Sequence, residues 1–317
     1  MIMHDTITLG FTVFRPETAP FAARAMIDHD LIVLEEPRTP GFEEMLAGEL
    51  DVDEYLMLTD FEFPEYARTQ CRTLQSFHAS GVKVLQLHPW MDQLVGIHEF
   101  FAAGNGPGDI PGGSQAWAVY AREREWSASL LAFYKAAGKN DFEAILKAVN
   151  DFAMADAAKI SDMDTGRAAD LADILPAHGP AYVECGAIHH DMVGLMIRAL
   201  GHGRVKAVHL MEEACLARYG RRRLIPPGDL LTFRHLLGAP RNPAQEALLA
   251  ARAVVYNRLM EKDETFESAS AYPHMDAEAL VLQIVNDLDT EQCRELFGHI
   301  RHMGVRESLA LVLQNSH

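Results

Sequence analysis

Residues 181–190, with the sequence AYVECGAIHH, constrain the fold of this chain more than any other segment. The segment follows a Gly-Pro pair and carries small or β-branched residues at alternate positions, which predicts a buried strand. Two histidines, His189 and His190, come directly after it, and the residues beyond them are apolar at helical spacing up to Gly201. The histidines therefore lie on a strand-to-helix turn. In a parallel α/β sheet, that turn at the carboxyl end of a strand is where ligands bind.

Other parts of the chain repeat this alternation of strand and helix. The sequence predicts further strands at 6–14, 30–37, 54–61, 82–90 and 205–210, and helices at about 91–103, 115–137, 141–159 and 165–175. Such alternation predicts parallel strands joined by crossover helices. From residue 223 onward the pattern predicts helices alone, at 228–237, 243–262, 275–286, 289–302 and 304–314. We therefore predict an α/β fold with a mostly parallel sheet in residues 1–222 and a helical C-terminal region, 223–317, packed on it.

Composition narrows the class of protein. The formal charge of −17 would repel a phosphate backbone, and the three arginines at 221–223 form too short a basic run to reverse this, so no nucleic-acid partner is expected. The four cysteines lack CxxC spacing, which is typical of reduced thiols in a cytoplasmic protein. The sequence shows neither the pattern of a signal peptide nor an apolar run of about 18 residues. We therefore expect a cytoplasmic protein without a membrane span.

Polar side chains follow several of the predicted strands. They are Glu35 and Glu36 after the second strand, Asp60 and Glu62 after the third, His88 after the fourth, and His189 with His190 after the fifth. Each of these residues alone is more often an ordinary hydrogen-bonded loop residue than a functional one. Because the carboxyl ends of parallel strands meet at one edge of a sheet, their coincidence predicts a site there. Carboxylates and imidazoles also form a ligand set that suits manganese, iron or zinc.

Arg167 lies in the predicted helix that leads into the 181–187 strand. The helix also carries Asp162, Asp164 and Asp170, so surface ion pairs are one explanation for the arginine. The other is that its guanidinium reaches the polar residues at the strand ends, where it would anchor a carboxylate or bind an anionic substrate. Both explanations remain open at this point.

The order of these segments is similar to that of a known superfamily. The strand AYVEC is preceded by Arg167, Ala168, Leu171 and Ala172 and is followed by Gly186, Ala187, Ile188 and His189. Nearer the N-terminus, LIVLEEP contains a strand that ends at Glu35, and SGVKVLQLHP forms the next strand unit. This resembles the superfamily that contains the TraB, Tiki and ChaN proteins and the erythromycin-esterase-like enzymes, whose members carry R-N-x-x-M-A on a helix, then an apolar strand and G-A-x-H. The resemblance covers about residues 6–210.

The chain departs from that superfamily in two places. The first strand of the superfamily usually ends in a histidine three residues after a glycine, whereas Gly10 is followed by Phe11 and Val13, and Ala168 replaces the helical asparagine. The resemblance implies either a metal-dependent hydrolase, as on the Tiki side, or a haem- and iron-binding protein, as on the ChaN side. The missing histidine weakens the first implication more than the second.

Our first hypothesis is a metal-dependent hydrolase that acts on a small-molecule or peptide substrate. In it, Glu35, His88 and His189 hold a divalent metal ion whose bound water is the nucleophile. Glu36 or His190 moves protons, and Arg167 steadies the substrate or the developing charge.

Two alternatives come from other classes of protein. One is a non-catalytic haem- or metal-binding protein in which a histidine, Tyr182 or Tyr120 is the axial ligand. The other is a scaffold or assembly protein that forms homo-oligomers through its helical C-terminal region.

Overall fold

The computed structural model describes residues 6–59, 61–139, 141–175, 179–264 and 269–315. Contacts within the chain divide it into two units, Met1–Ala121 with Ser161–Glu213, and Arg122–Ile160 with Ala214–His317. This division differs from the predicted boundary at residue 222 because the second unit also takes a long internal segment. We describe each unit by itself.

The first unit is built on a five-stranded parallel sheet. Its strands are β1 (Ile7–Thr12), β2 (Leu31–Leu34), β3 (Lys83–Gln86), β4 (Ala181–Gly186) and β5 (Val205–His209), in the order β3-β2-β4-β1-β5. Every pairing is parallel. The strand predicted at 181–187 lies at the centre, between β2 and β1, so that both of their carboxyl ends adjoin its own.

Helices make up most of the remaining structure. Within the described residues they are α1 (Ala19–Met26), α2 (Phe42–Ala47), α3 (Val52–Leu58), α4 (Pro64–Ala79), α5 (Pro89–Ala102), α6 (Gln115–Lys139), α7 (Phe142–Ile174), α8 (Asp191–Leu200), α9 (Glu212–Tyr219), α10 (Pro227–Leu236), α11 (Pro243–Leu259), α12 (Pro273–Asn286), α13 (Thr290–Ile300) and α14 (Val305–Asn315). The predicted fold class, an α/β protein with a parallel sheet and a helical C-terminal region, is confirmed. Within these residues no helix combines the length and apolarity needed to cross a membrane.

One predicted strand is wrong. Val52–Leu58, which covers most of the strand predicted at 54–61, is a helix whose first turn is capped by the Asp51 side chain, which accepts a hydrogen bond from the Asp53 N–H. The buried residues of this helix, Val52 and Tyr55, are three apart, as on one helix face. Asp60, one of the predicted strand-end residues, lies outside the described residues.

The two helices predicted at 141–159 and 165–175 are one helix. Helix α7 runs through Gly166 without a break. A single glycine lowers the stability of a helix by only about 1 kcal/mol relative to alanine, and the stabilisation from tertiary packing can exceed this loss. Arg167 therefore lies in the last third of a 33-residue helix.

The sheet has two buried faces, and each packs against its own helices. We call them the α7–α8 face and the α1–α4 face. On the α7–α8 face, the inward residues of the strands pack on Ala168, Leu171, Leu175, Met192 and Met196. On the α1–α4 face they pack on residues of α1, α2 and α4, among them Ala22, Met26, Met45, Cys71 and Leu74. Because strand side chains alternate between faces, neighbouring residues of β4 belong to different cores.

Gly10 shows how tightly the α1–α4 face is packed. A Cβ atom at this position of β1 would lie 2.2 Å from the hydroxyl oxygen of Tyr182 on β4. Real Cβ atoms do not approach other atoms so closely, so glycine here leaves room for the buried tyrosine ring.

The second unit has a core made of helices. Phe142 and Ile145 of α7 pack with residues of α10 to α14, among them Leu231, Val255 and Val285.

The prediction that the cysteines do not form disulfides is confirmed, since Cys71, Cys185, Cys215 and Cys293 are all free and buried.

Candidate functional site

Glu35, which directly follows β2, is the centre of a buried polar cluster. Its Oε2 atom accepts hydrogen bonds from the Gly186 backbone N–H at 2.6 Å and from Arg167 Nη1 at 3.0 Å. Its Oε1 atom lies 2.8 Å from His189 Nε2. The carboxylate is thus held by the carboxyl end of β4, the helix before it and the turn after it.

His189 lies between two carboxylates. Its Nε2 faces Glu35, and its Nδ1 lies 2.5 Å from the Oδ1 atom of Asp164 on α7. Asp164 is three residues before Arg167, so both side chains leave the same face of the helix. We call the four residues Glu35, Asp164, Arg167 and His189 the Glu35 cluster.

Arg167 is buried, with 4% of its surface exposed, so its explanation by surface ion pairs is wrong. Its Nε donates a hydrogen bond to the carbonyl oxygen of Leu87 at 3.0 Å, and its Nη1 donates to Glu35. Its Nη2 is buried and has no hydrogen-bond partner within the described residues, and the same is true of Asp164 Oδ2. Buried polar atoms without a partner are rare in folded proteins, so these two atoms need an explanation.

The charges of the cluster stabilise each other. Burial alone raises the pKa of Glu35, but the charges of His189 and Arg167 outweigh it and lower the pKa to about 2. Burial alone lowers the pKa of His189, but the Glu35 carboxylate and the hydrogen bond to Asp164 raise it to about 10. At neutral pH the cluster therefore contains an imidazolium and a strongly ionised carboxylate.

His88 lies beside this cluster as a neutral imidazole. It is the N-cap residue of α5, where its Nδ1 accepts a hydrogen bond from the Met91 N–H at 3.4 Å. Burial lowers its pKa to about 4. The charge of Glu35 opposes this shift, and the charges of Arg167 and His189 add to it. With Nδ1 accepting, the proton is on Nε2, which makes His88 a neutral hydrogen-bond donor.

Two of the predicted site residues lie in other groups. The Oε2 atom of Glu36 accepts a hydrogen bond from Gln86 Nε2 of β3 at 2.9 Å, and burial raises the pKa of this carboxyl. The ring of His190 stacks on Phe11 at 5.5 Å and lies 5.4 Å from the ring of His209. The structure thus joins Glu35, Arg167 and His189 directly, and the proton-moving roles predicted for Glu36 and His190 stay predictions.

Val13 and Phe14 occupy the region after β1 where the resemblance implies a histidine. Val13 is exposed, whereas Phe14 adopts the left-handed conformation with φ of 49°, which is uncommon for a residue with a side chain. The Phe14 ring is close to Gly186, since a Cβ atom there would lie 3.3 Å from Phe14 Cε2 and from His189 Cδ2. An aromatic ring therefore lies next to the Glu35 cluster on this side.

Two buried acids were not predicted as site residues. Asp164 is 1% exposed, and its spacing of three from Arg167 was the available signal for a shared helix face. Glu184 is a carboxyl within the apolar run of β4 and is fully buried. A lone acid in such a run was itself a signal, because burying an unpaired carboxylate is costly.

The arrangement of the Glu35 cluster does not fit the predicted metal site. Both ring nitrogens of His189 are engaged by carboxylates, and its raised pKa keeps the ring protonated, whereas a metal ligand must offer a free lone pair. The two oxygens of Glu35 already bind His189, Arg167 and the Gly186 N–H. No set of three or more His, Cys, Asp or Glu side chains in the described ranges is arranged to hold a metal ion.

The tyrosines predicted as axial haem ligands lie in different surroundings. Tyr182 is fully buried in β4 on the α1–α4 face. Tyr120 of α6 packs against Trp117 and Phe101 with ring centroids 5.7 and 5.8 Å away. Haem binding stays a prediction.

Comparison with known proteins gives one relative and no family. No family model matches the chain, and no solved structure matches it. The chain is similar to an uncharacterized protein of Archaeoglobus fulgidus, with 27% identity over 288 residues that cover 90% of this chain and 96% of that protein. The resemblance to the TraB, Tiki and ChaN superfamily therefore stays a prediction.

Proposed function

We propose that this protein is a hydrolase that acts through hydrogen bonding and proton transfer at the carboxyl edge of its sheet. The substrate class is a compound with a carbonyl or phosphoryl oxygen next to the bond that breaks. The Glu35 cluster works without a metal ion in this proposal, because both ring nitrogens of His189 and both carboxylate oxygens of Glu35 are already paired.

The unpaired Nη2 of Arg167 is the observation that carries the proposal. This donor is buried at the carboxyl edge of a parallel sheet, where ligands of such folds bind, and it lacks an acceptor among the described residues. Its guanidinium is fixed by Glu35 and by the Leu87 carbonyl, so the free nitrogen has a defined direction. A substrate oxygen is the acceptor that would satisfy it.

Two donors and one fixed positive charge would then polarise the substrate. Arg167 Nη2 binds the oxygen as a charged donor, and the neutral Nε2–H of His88 is a second donor beside the cluster. His189, held as an imidazolium by Glu35 and Asp164, supplies the positive field. Fixed donors of this kind stabilise the negative charge that develops on an oxygen in the transition state.

Water adds to the polarised atom, the bond to the leaving group breaks, and one proton of the water passes to the leaving group. Glu36, whose carboxyl is bound by Gln86 in a separate group, is not assigned this proton. The donors of the site are unchanged by the reaction, so the enzyme ends as it began.

The test is a hydrolysis assay with chromogenic carboxylate esters, anilides and phosphate esters after treatment of the protein with a chelator. We expect hydrolysis of at least one class by the wild-type chain and its loss in Arg167→Gln. Arg198→Gln is the matched control, since Arg198 is an exposed arginine of α8 in the same unit. His88→Asn, which keeps a small polar side chain at the helix cap, should lower kcat more than it raises KM.

Circular dichroism of each variant separates loss of activity from loss of folding. If no substrate class is hydrolysed faster by the wild-type chain than by folded Arg167→Gln, the hydrolase proposal is wrong.

A further inference from the structure

Asp164 carries the second unpaired atom of the Glu35 cluster. Its Oδ1 atom lies 2.5 Å from His189 Nδ1, whereas its Oδ2 atom is buried and has no hydrogen-bond partner within the described residues. The residue is 1% exposed, so bulk water does not reach this oxygen. Burying a carboxylate oxygen without a donor is unfavourable, and we therefore expect a ligand to supply one.

The unpaired atoms of Asp164 and Arg167 have opposite hydrogen-bonding roles. Arg167 Nη2 only donates, because a guanidinium has no acceptor. Asp164 Oδ2 only accepts in the ionised state that its contact with the His189 imidazolium favours. A ligand that satisfies both atoms must therefore carry an acceptor and a donor. An ester oxygen alone would satisfy Arg167 and leave Asp164 unpaired.

Both atoms approach a ligand from the same helix. Asp164 and Arg167 are three residues apart on α7, so their Cβ atoms are about 5 to 6 Å apart on one face of it. His189 and Glu35 link the two side chains in a series of polar contacts that begins and ends on α7. A ligand that pairs with both unpaired atoms closes this series into a ring, so its donor and acceptor must lie side by side.

Amides differ in whether they meet this requirement. In a trans peptide bond the C=O and the N–H point to opposite sides of the bond. A primary amide has a second N–H on the same side as its oxygen, and a cyclic amide has its single N–H there. Primary and cyclic amides therefore present the required pair of groups to one face of a helix, and a trans peptide does not.

The charges of the Glu35 cluster also select the ligand. The carboxylates of Glu35 and Asp164 balance the Arg167 guanidinium and the His189 imidazolium. A carboxylate or phosphate monoester would add a buried charge that these residues do not balance, which is costly. An uncharged ligand keeps the balance.

We infer that Asp164 is a specificity-determining residue, and that the site takes an uncharged group whose N–H lies beside its C=O, as in primary and cyclic amides. Arg167 Nη2 donates to the carbonyl oxygen, and Asp164 Oδ2 accepts from the N–H. That the bound amide is also hydrolysed rests on the proposed function. An ester in the same place leaves the Asp164 oxygen without a donor, and buried sites reject ligands that leave a polar group unpaired.

The test compares three small, uncharged probes by nuclear magnetic resonance of the Arg167 guanidinium and the Asp164 carboxyl group. Acetamide has an N–H beside its oxygen, N-methylacetamide has its N–H on the opposite side, and acetone has none. We expect acetamide to bind about tenfold more tightly than either of the others. Equal affinities would overturn the inference. So would the absence of any change at both groups, because water would then satisfy the two atoms.

Asp164→Asn tests the acceptor itself. If the oxygen of the new amide stays with His189, its NH2 group, a donor, takes the place of Oδ2, so the preference for acetamide over acetone should disappear. Asp170→Asn, at an exposed position of α7, should keep the preference. A preference retained in Asp164→Asn that is folded by circular dichroism would overturn the inference.

Binding of these probes is measured without turnover. A preference for acetamide with no activity in the hydrolysis assay would therefore refute the proposed function alone. Hydrolysis of esters by a chain that shows no preference for acetamide would refute this inference alone.

Discussion

The two faces of the sheet bury a carboxyl group in opposite ways. On the α7–α8 face, Glu35 is paired with Arg167 and His189, and its pKa is lowered to about 2. On the α1–α4 face, Glu184 has neutral donors and acidic neighbours, and its pKa is raised to about 7. The carboxyls belong to adjacent strands and are joined by a hydrogen bond from the Glu35 N–H to Glu184.

This difference shows that burial does not decide the charge of a carboxyl. Both side chains are removed from water, which disfavours the ionised form in each case. Cations on the α7–α8 face reverse that effect, whereas the described hydrogen-bond donors to Glu184 are neutral, so that the effect of burial remains. One face therefore holds paired, fixed charges, and the other holds a carboxyl whose pKa is near neutral.

The largest expected effect comes from removing the cation of the α7–α8 face. Arg167→Gln leaves Glu35 with a weaker set of donors and should lower the free energy of unfolding by about 3 to 5 kcal/mol. Urea denaturation measures this loss. Arg198→Gln, which removes an exposed arginine, should change it by less than about 0.5 kcal/mol. Similar values for the two variants would mean that the charges on this face do not stabilise the fold.

Removing the acid of the α1–α4 face should change how stability depends on pH. The pKa of Glu184 is raised from 4.5 in the unfolded reference to about 7, so its contribution is present below about pH 4.5 and is lost as the pH rises to about 7. The loss is on the order of 3 kcal/mol. Glu184→Gln should therefore gain stability relative to the wild-type chain between pH 5 and pH 8, as measured by urea denaturation at each pH.

The opposite sign would contradict the proposed state of Glu184. If the variant lost relative stability as the pH rose, the wild-type carboxyl would have to be stabilised in its ionised form. Glu43→Gln, which changes an exposed glutamate of α2, should show a difference from the wild-type chain that does not vary with pH in this range.

Asp164→Asn should have a smaller effect, confined to the α7–α8 face. The amide can still accept a hydrogen bond from His189 Nδ1–H, but it lacks the charge, so we expect a loss of about 1.5 to 3 kcal/mol in the free energy of unfolding. The raised pKa of His189 means that its contribution is present below about pH 6.5 and lost as the pH rises through about 10. In the variant the folded-state pKa of His189 is lower, so this loss should end at a lower pH and should be smaller.

Nuclear magnetic resonance of the His189 ring measures that shift directly. Asp170→Asn is the matched control, because Asp170 lies on the same helix and is exposed. An unchanged His189 titration in Asp164→Asn would show that Asp164 does not set the charge of the imidazole.

Metal ions should have the smallest effect on the stability of the protein. Because the nitrogens of His189 are already paired with carboxylates, manganese, iron(II) and zinc should show no stoichiometric binding in calorimetric titrations at neutral pH. A chelator should leave the unfolding midpoint unchanged. Tight binding by the wild-type chain that His189→Ala abolishes would restore the metal site that the sequence predicts.

The sequence predicts the parallel sheet because its apolar runs are short and are separated by helices. It also predicts that Glu35, His88 and His189 lie together, since strand ends share one edge, and it leaves open whether Arg167 joins them or forms surface ion pairs. The strand predicted at 54–61 is wrong because seven apolar-rich residues fit a short helix as well as a strand, and the Asp51 cap decides between them. The spacing of the apolar residues alone does not contain that information, although Asp51 is visible in the sequence as a helix N-cap residue.

The charges at the site were harder to predict than its position. Glu35 and His189 were predicted as metal ligands because carboxylates and imidazoles are common ligands. Whether an imidazole binds a metal or a proton depends on what lies at its other nitrogen, and here that is Asp164 of a distant helix. The sequence suggests Asp164 only as a surface ion-pair partner of Arg167, because ion pairs along one helix explain neighbouring acids and arginines without a buried site.

The contact between Gly10 and Tyr182 makes these two positions dependent on each other. A side chain at position 10 requires a smaller residue at position 182, and a smaller residue at 182 allows a side chain at 10. Natural variants of this chain should therefore exchange bulk between β1 and β4 as a pair. Such paired exchange offers a way to recognise distant relatives that share this sheet but differ in the residues at its edge.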